Sequence, residues 1–438
     1  MNRLLLTLPG KVGTQALLLF RDPKRFVENV DYTLHPKKLQ RKLLGFETMP
    51  PMHLQIEVNA DMPPHVNVLL PKLGTGSLTG GPNTAIIIAC GLASLGLPVR
   101  LLAVDEALPA DIDGLWRHVI AVAGTGQAQP RIVLGSTVDP MHPVSIGAWD
   151  VFLATYWTTA FRLRPILDRM RTTEFLYLIQ DFEPSFYPWS SAYAQALQTY
   201  ALPYRALINE QFLAKHLVET RTGRFAEPGF IERCAVFEPA VDRRLFHPVE
   251  RKGATRTLLF YARPNQPRNL FGIGFEALRA ASAHPVFAGT DWRYLAIGGG
   301  SLGRMSLGAG RVLEPTPWMP YADYAGLMRN SDLLLCPMLS PHTSYPVLEM
   351  AACRGIAVTN SFGSKTAERL RELSSRIVAE APSVEAMTGA LLEAASSTVC
   401  DDARESDITL PGDWSTALRA TVDAAHRMVQ DIVSAAGS

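Results

Sequence analysis

Short apolar strands alternate with helical segments in two successive stretches of the chain, and this alternation limits the fold more than any other feature. In the first stretch the predicted strands are 65–70, 99–104, 131–134, 150–154, 175–179 and 205–208. In the second stretch they are 257–261, 292–297, 333–336 and 356–359. Strands joined by crossover helices pair in parallel, so each stretch predicts a doubly wound α/β domain.

The spacing of these elements divides the chain into four parts. We predict a helical or irregular extension over residues 1–50, a Rossmann-like domain over 51–230, a second one over 231–411, and a C-terminal helix over 412–438 that can pack back on the first domain. Open parallel sheets bind ligands beyond the carboxyl ends of their strands. Two such domains therefore predict an inter-domain cleft as the functional site.

Composition excludes several classes of function. The chain has 438 residues, and 42 Lys and Arg against 41 Asp and Glu give a net charge of +1. This balance lacks the basic field that nucleic-acid binding requires. The five cysteines include no C-x-x-C pair and the ten histidines no H-E-x-x-H pair, so neither a metal site nor a disulfide framework is expected.

The sequence has no apolar run of the roughly 20 residues that a membrane span needs. We therefore expect a cytoplasmic enzyme. Residues 21–45 are locally basic and contain Leu, Phe and Val. This segment is either a helical arm with a solvated face or a contact with the anionic inner face of a cell membrane.

Two arginines mark the strongest candidate for phosphate binding. Arg263 and Arg268 flank a Pro-containing turn that follows a predicted strand and precedes a predicted helix. The guanidinium group matches the geometry of phosphate oxygens. We predict that both arginines hold the diphosphate leaving group of a nucleotide sugar and so act in catalysis, with Asn269 beside them in the donor site.

A second candidate segment runs from Ser340 to Gly355. A polar loop enters a helix here, so Thr343, Ser344 and Tyr345 are predicted to bind the donor near the N–H groups of a helix N-terminus. Glu349 lies one turn inside an apolar helix, where a carboxylate needs a dedicated partner. We predict the ribose hydroxyls as that partner; the alternative is a buried ion pair, for example with Arg354.

Glycines and aromatic residues follow strands of the first domain. Gly80 and Gly81 allow the backbone to approach a sugar or diphosphate closely, although a tight turn before a helix would use them equally. Tyr156 and Trp157 are predicted to stack on acceptor sugars. The alternative is that both are core aromatics.

Polar residues follow the strand at 175–179. We predict that Gln180 and Glu183 bind the acceptor and that Asp181 acts in catalysis. Salt bridges or capping of the following segment are the alternative for both carboxylates. Two nearby carboxylates also suit a glycosidase, but the diphosphate-binding features have no place in a hydrolase.

These segments resemble GT-B glycosyltransferases of family 4. In that family a G-R-x4-K motif holds the diphosphate, and Arg263 and Arg268 match it with Arg in the Lys position. Glu349 matches the second Glu of the E-x7-E motif, which binds ribose. Pro341 occupies the position of the first Glu, which contacts the transferred sugar, so sugar recognition is expected to differ here.

The polar loop resembles WsaF-type rhamnosyltransferases more closely than it resembles family 4 in general. It rests on S-P-H-T-S-Y-P-V-L-E-M-A at 340–351, Q-D-F-E-P at 180–184 and G-G-P-N at 80–83, within a likeness over residues 50–400. It implies a GT-B fold, a dTDP-β-L-rhamnose donor, a glycan or lipid-linked glycan acceptor, and no cofactor. Family 4 enzymes are regarded as retaining, which implies that the departing diphosphate accepts the proton of the attacking hydroxyl.

Other functions stay open. A D-x-D at 111–113 would suit a metal-dependent GT-A transferase, but its surroundings favour the start of a helix. Gly74, Gly76 and Gly80 imitate the fingerprint of a nicotinamide-dependent dehydrogenase, with Thr79 in the third-glycine position. A transferase using UDP- or GDP-sugars and a non-catalytic binding module are further alternatives, and an oligomer is compatible with the sequence.

Overall fold

The computed structural model describes residues 53–74, 80–124, 130–250, 255–289, 291–299, 302–397 and 406–437. The predicted extension over 1–50, with its basic segment 21–45, lies outside the described residues. So do residues 75–79 of the glycine-rich loop, which include Gly76 and Thr79.

The first domain is built on a seven-stranded parallel sheet with the strand order β4-β3-β2-β6-β7-β8-β9. Strands β2, β3, β6 and β7 are buried along their whole length, as expected for a parallel sheet covered on both faces. Two further strands, β1 and β5, pair in parallel as a separate small sheet. The strands are β1 Ile56–Asn59, β2 Val66–Leu70, β3 Val99–Ala103, β4 Ile132–Ser136, β5 Val144–Gly147, β6 Val151–Ala154, β7 Phe175–Ile179, β8 Tyr204–Asn209 and β9 Ala235–Phe237.

The helices of the first domain lie between successive strands of its sheet. They are α1 Gly81–Ser94, α2 Ile112–Ala123, α3 Trp157–Leu167, α4 Ser191–Thr199 and α5 Gln211–Glu219. Asp111 is the N-cap of α2 and accepts a hydrogen bond from the Gly114 N–H at 2.7 Å. The interpretation of the D-x-D as a helix start is confirmed.

The second domain contains another seven-stranded sheet, with the order β12-β13-β11-β10-β14-β15-β16. All its strands are parallel except β12, which pairs antiparallel with β13. The sequence did not predict β12, β13 and β16, because these strands near the sheet edges lack a continuous apolar run. The strands are β10 Arg256–Tyr261, β11 Trp292–Ile297, β12 Met305–Gly308, β13 Arg311–Pro315, β14 Leu333–Leu335, β15 Ile356–Asn360 and β16 Ile377–Glu380.

The helices of the second domain cover both faces of this sheet. They are α6 Phe271–Ser282, α7 Pro285–Ala288, α8 Tyr321–Arg329, α9 Tyr345–Ala352, α10 Ala367–Leu373 and α11 Val384–Ser397. One apolar cluster packs α8, α9 and α10 on the sheet, and another packs α6 and α11 on the opposite face. None of the helices in the described part of the chain is both long and apolar enough to cross a membrane.

The chain crosses between the domains more than once. Strand β9 belongs to the first sheet, so the first domain extends beyond the boundary predicted at residue 230. The last helix, α12 (Trp414–Gly437), packs against α1, and Leu418, Val422 and Val429 contribute to the core of the first domain. Residues 51–438 form one compact unit that contains both sheets.

The contact between α1 and α12 predicts a position that is sensitive to size. A Cβ atom on Gly91 of α1 would lie 2.8 Å from both Cγ atoms of Val422. We expect Gly91→Ala to lower the melting temperature, since overpacking costs about 1–3 kcal/mol. The matched control is Gly389→Ala in α11, where no atom lies within 4 Å of the added carbon and helix propensity favours Ala by up to about 1 kcal/mol. Equal melting temperatures for the two variants would contradict the expectation.

Candidate functional site

A cleft of about 350 Å³ lies where strand ends of the first domain face those of the second. It is bordered by segments that follow β2, β6 and β7 on one side and β10 and β14 on the other. The arrangement therefore places the cleft at the carboxyl ends of both sheets. The predicted site residues that line it are Gly80, Gly81, Tyr156, Gln180, Asp181, Glu183, Arg263, Arg268, Asn269, Ser344 and Tyr345.

A larger open groove of about 760 Å³ lies elsewhere, beside α12. Its arginines are held by neighbouring acids: Arg205 pairs with Glu174 at 3.0 Å and with Asp431 at 3.1 Å. None of the predicted site residues lines this groove. The smaller cleft is therefore the better candidate for the functional site.

Arg263 lies half-buried at the edge of the cleft, just after β10. Its Nη1 donates a hydrogen bond to the Tyr261 hydroxyl at 3.2 Å. A Cβ atom on Gly298, which follows β11 and has a φ of 107°, would lie 3.0 Å from the Arg263 side chain. The glycine leaves space for the arginine stem to lie over the end of the sheet.

Arg268 is held from two directions by the first domain. Its Nη1 forms an ion pair with Asp181, and its guanidinium carbon lies 3.9 Å from the ring centroid of Phe186. The Arg268 Nε is buried and has no hydrogen-bond partner among the described residues. This N–H is a donor without an acceptor at the wall of the cleft.

Asp181 is the counter-ion of Arg268. Its carboxylate also accepts hydrogen bonds from the Ser340 hydroxyl and, at 2.8 Å, from the Phe182 N–H. Burial alone would raise the pKa of Asp181, but the charge of Arg268 and the Ser340 hydrogen bond outweigh burial and lower it. The carboxylate is therefore ionised at neutral pH and already has several partners.

Other buried polar atoms of the cleft also lack partners. The Gln180 Nε2 donates to the Gly81 carbonyl at 3.1 Å, which leaves the Gln180 Oε1 unpaired among the described residues, and the Asn269 Oδ1 is unpaired as well. Buried polar atoms are nearly always hydrogen-bonded in folded proteins. Gln180, Arg268 and Asn269 all line the cleft, and each has a buried polar atom without a partner among the described residues. This combination is typical of a site that binds a polar ligand.

The Gly80–Gly81 turn packs closely against both domains. Gly80 has a φ of 50°, and a Cβ atom on it would lie 3.6 Å from the Tyr345 ring. A Cβ atom on Gly81 would lie 2.9 Å from the Gln180 Nε2. The glycines thus have a local packing reason, and their backbone also faces the cleft.

Two aromatic candidates of the first domain have different positions. The Tyr156 ring lines the cleft and stacks on Phe186, with a centroid distance of 6.2 Å and an interplanar angle of 22°. Trp157 is only 2% exposed, and its Nε1 donates to the Tyr187 hydroxyl at 3.0 Å. The prediction that Trp157 stacks on a sugar is wrong in this structure, because its ring belongs to the core.

Glu183 caps a helix. Its Oε2 accepts the Trp157 N–H at the start of α3 at 2.6 Å. This helix precedes Glu183 in the chain, so the contact differs from the predicted alternative, which concerned capping of the following segment. Burial raises the pKa of Glu183 well above its usual value. The side chain borders the cleft, but its hydrogen bond serves the scaffold.

The loop after β14 joins the two domains. Thr343 is fully buried, and its N–H and hydroxyl both donate to the Glu210 Oε1, at 2.6 and 3.1 Å. Thr343 therefore does not line the cleft, contrary to the prediction. The Ser344 N–H donates to the His342 Nδ1 at 3.0 Å. The N–H groups of Thr343 and Ser344 are therefore engaged within the protein, and Pro346 has none.

His342 and Phe186 line the cleft and were not among the predicted site residues. Burial lowers the pKa of His342 to about 4. The imidazole is therefore neutral at pH 7, and its Nε2 lies 3.3 Å from the Asn209 Nδ2. The position of His342 within the S-P-H-T-S-Y-P segment was the signal that could have identified it.

Glu349 does not line the cleft. Its position therefore does not support the prediction that it binds a donor molecule directly at the cleft surface. Its Oε1 accepts the Tyr321 hydroxyl and its Oε2 the Tyr324 hydroxyl, both at 2.8 Å. The alternative ion pair with Arg354 is also absent from the described contacts. Burial raises the pKa of Glu349 to about 7, against the opposing effect of the two tyrosine hydrogen bonds.

The raised pKa of Glu349 predicts a pH-dependent stability. Between about pH 4.5 and 7 the unfolded chain loses this proton while the folded chain keeps it, so the folded state loses stability as pH rises. We expect the free energy of unfolding of the wild type, measured by urea denaturation, to fall relative to that of Glu349→Gln as the pH rises through this window. The change in the difference between the two proteins is at most about 3 kcal/mol.

The matched control for this experiment is Glu385→Gln, which removes an exposed carboxylate at the start of α11. A difference between wild type and Glu349→Gln that stays constant from pH 4.5 to 8 would contradict the assignment.

Comparison with known proteins identifies the family of this chain. The chain matches the family models "WsaF, N-terminal domain" over residues 65–210 and "WsaF, C-terminal domain" over residues 256–392. The O-antigen biosynthesis protein RfbC of Myxococcus xanthus is 36% identical over 229 residues, which are 50% of this chain but only 16% of RfbC. The match therefore spans about a sixth of the length of that relative.

A solved structure supports the fold. Sucrose-phosphate synthase from Thermosynechococcus elongatus superposes with a TM-score of 0.50 at 11% identity, over 84% of this chain and 95% of that one. A likeness at this identity concerns the fold alone. The chain belongs to the WsaF family and has the two-domain GT-B fold.

Proposed function

We propose that this protein is a glycosyltransferase that moves a hexosyl unit from a nucleotide-diphosphate donor to a glycan during synthesis of a cell-surface polysaccharide. One observation carries the proposal: Arg263 and Arg268 line the same cleft, and the buried Nε–H of Arg268 has no hydrogen-bond partner among the described residues. Membership of the WsaF family and the O-antigen role in the name of RfbC agree with it.

The two arginines suit the leaving group of such a reaction. A departing diphosphate gains negative charge as its bond to the sugar breaks, and charge-assisted hydrogen bonds stabilise that charge in a site shielded from water. In this mechanism Asp181 keeps Nη1 of Arg268 in place while the free Nε–H meets a phosphate oxygen. Arg263 supplies the second positive charge from the other end of the turn.

The carboxylates of the cleft favour transfer over hydrolysis by an acid/base pair. Asp181 is engaged by Arg268 and Ser340, and Glu183 caps α3. We propose that the departing diphosphate itself accepts the proton of the attacking hydroxyl. The bond from the sugar C1 to the diphosphate breaks, the acceptor oxygen bonds to C1 on the same face, and configuration is retained. The reaction then needs no metal ion.

Family membership favours dTDP-β-L-rhamnose as the donor. Gln180 and Tyr156 line the side of the cleft formed by the first domain and are proposed to contact the acceptor. Ribose binding by Glu349 stays a prediction, and it requires the ribose hydroxyls to share this carboxylate with Tyr321 and Tyr324. A cytoplasmic location and a peripheral membrane contact through residues 21–45 also stay predictions.

We expect Arg263→Ala and Arg268→Ala each to slow donor turnover, because each removes a cation that stabilises the leaving group. The loss is on the order of 10²-fold, measured as release of nucleoside diphosphate from the nucleotide sugar. The control is Arg279→Ala, which removes an exposed arginine paired with Glu276 on α6 at 2.6 Å. Turnover within threefold of the wild type for both cleft variants would contradict the proposed role.

We expect dTDP-β-L-rhamnose to raise the melting temperature more than UDP- or GDP-sugars do, since a donor stabilises the folded state in proportion to its affinity. Incubation of the enzyme with this donor in EDTA, followed by NMR, then tests the reaction. The sugar first released to water should retain the anomeric configuration of the donor. A preference for UDP- or GDP-sugars, turnover lost in EDTA, or an inverted product would refute the corresponding part of the proposal.

A further inference from the structure

Phe186 of the first domain forms an unusually close contact with Arg268 of the second. The distance of 3.9 Å from the guanidinium carbon to the ring centroid is the shortest cation–ring distance among the described residues. The Arg268 guanidinium carbon lies over the face of the Phe186 ring, and Asp181 pairs with Nη1 of the same guanidinium group. A ring on the face and a carboxylate at the edge together restrict both the tilt and the rotation of the group.

The Phe186 ring is itself fixed by the first domain. It ends the short 3-10 helix Glu183–Phe186, whose first residue is anchored by the cap on α3. Its other neighbour is Tyr156, whose ring stacks on it and whose hydroxyl lies 3.0 Å from the Tyr187 hydroxyl. Trp157 also donates to that hydroxyl. The ring therefore presents a rigid surface rather than a mobile side chain.

We propose that Phe186 is a positioning residue that holds the Arg268 guanidinium with its Nε–H toward the cleft. This inference rests on the proposed function. A guanidinium that kept only its bond to Asp181 could still rotate about that contact and withdraw Nε from a phosphate oxygen. With the ring in place, the first domain orients the phosphate-binding arginine of the second.

The contact with the Phe186 ring also requires an arginine, rather than a lysine, at position 268. A planar, weakly hydrated guanidinium stacks on an aromatic face while it donates in its own plane. A lysine at this position offers a point charge that cannot do both. Phe186 and Arg268 should therefore contribute to binding cooperatively. Once one of them is replaced, replacement of the other should have little further effect on affinity.

The test is a double-mutant cycle on binding of dTDP, measured by calorimetry on the full chain. We expect Phe186→Leu to weaken binding about 5- to 10-fold, within the range of partly desolvated cation–ring contacts. Phe186→Tyr, which keeps the ring face, should stay within about twofold of the wild type. In the Arg268→Lys background Phe186→Leu should have little further effect, since contacting residues are not additive.

The control is Trp189→Leu, which removes a 93% exposed aromatic ring from the same segment and should leave dTDP binding unchanged. Wild-type affinity in a folded Phe186→Leu variant, or the same loss in both backgrounds, overturns the positioning role. If the wild type binds none of dTDP, UDP and GDP, the proposed function fails. In that case the same double-mutant cycle with inorganic pyrophosphate, which needs only the arginines, tests the positioning role of Phe186. Absence of pyrophosphate binding to the wild type would overturn the inference too.

Discussion

The ion pair between Arg268 and Asp181 is the interaction on which the arrangement of the cleft depends. Arg268 belongs to the second domain and Asp181 to the first, and both side chains are largely withdrawn from water, at 19% and 11% exposed. A buried charge without a partner costs several kcal/mol or more. The pairing therefore ties the two domains together at the point where their strand ends meet.

Neighbouring contacts across the cleft also pair buried polar groups of one domain with those of the other. Glu210 receives two hydrogen bonds from Thr343, and the Asn209 amide donates to the Tyr345 hydroxyl at 2.9 Å. These residues continue β8 of the first domain and meet the loop after β14 of the second. The loop at 340–345 is consequently a connection between the domains as much as a border of the site.

Local sequence can show that a carboxylate needs a hydrogen-bond partner, but it does not show which residue is that partner. The apolar surroundings of Glu349 predict a dedicated partner, whereas Glu183 is predicted to bind the acceptor, cap the following segment or form a salt bridge. The partners in the structure are tyrosine hydroxyls from α8 for Glu349 and a helix N–H from α3 for Glu183. Neither partner is near in sequence, so no local pattern identifies it. The same limit applies to Trp157, because the sequence shows an aromatic residue after a strand but not the direction of its ring.

The sequence by itself determined the parallel α/β architecture, the two phosphate-binding candidates and the family. Buried central strands such as β7 are continuous apolar runs, and Asp111 marks the start of α2 through its side-chain hydrogen bond. Only the tertiary structure decided that β9 belongs to the first domain and that Asp181 and Phe186 contact Arg268. It also decided that Thr343, Trp157 and Glu349 do not line the cleft. These facts depend on contacts between residues far apart in the chain, such as the 87 positions that separate Asp181 from Arg268, and packing selects such contacts globally.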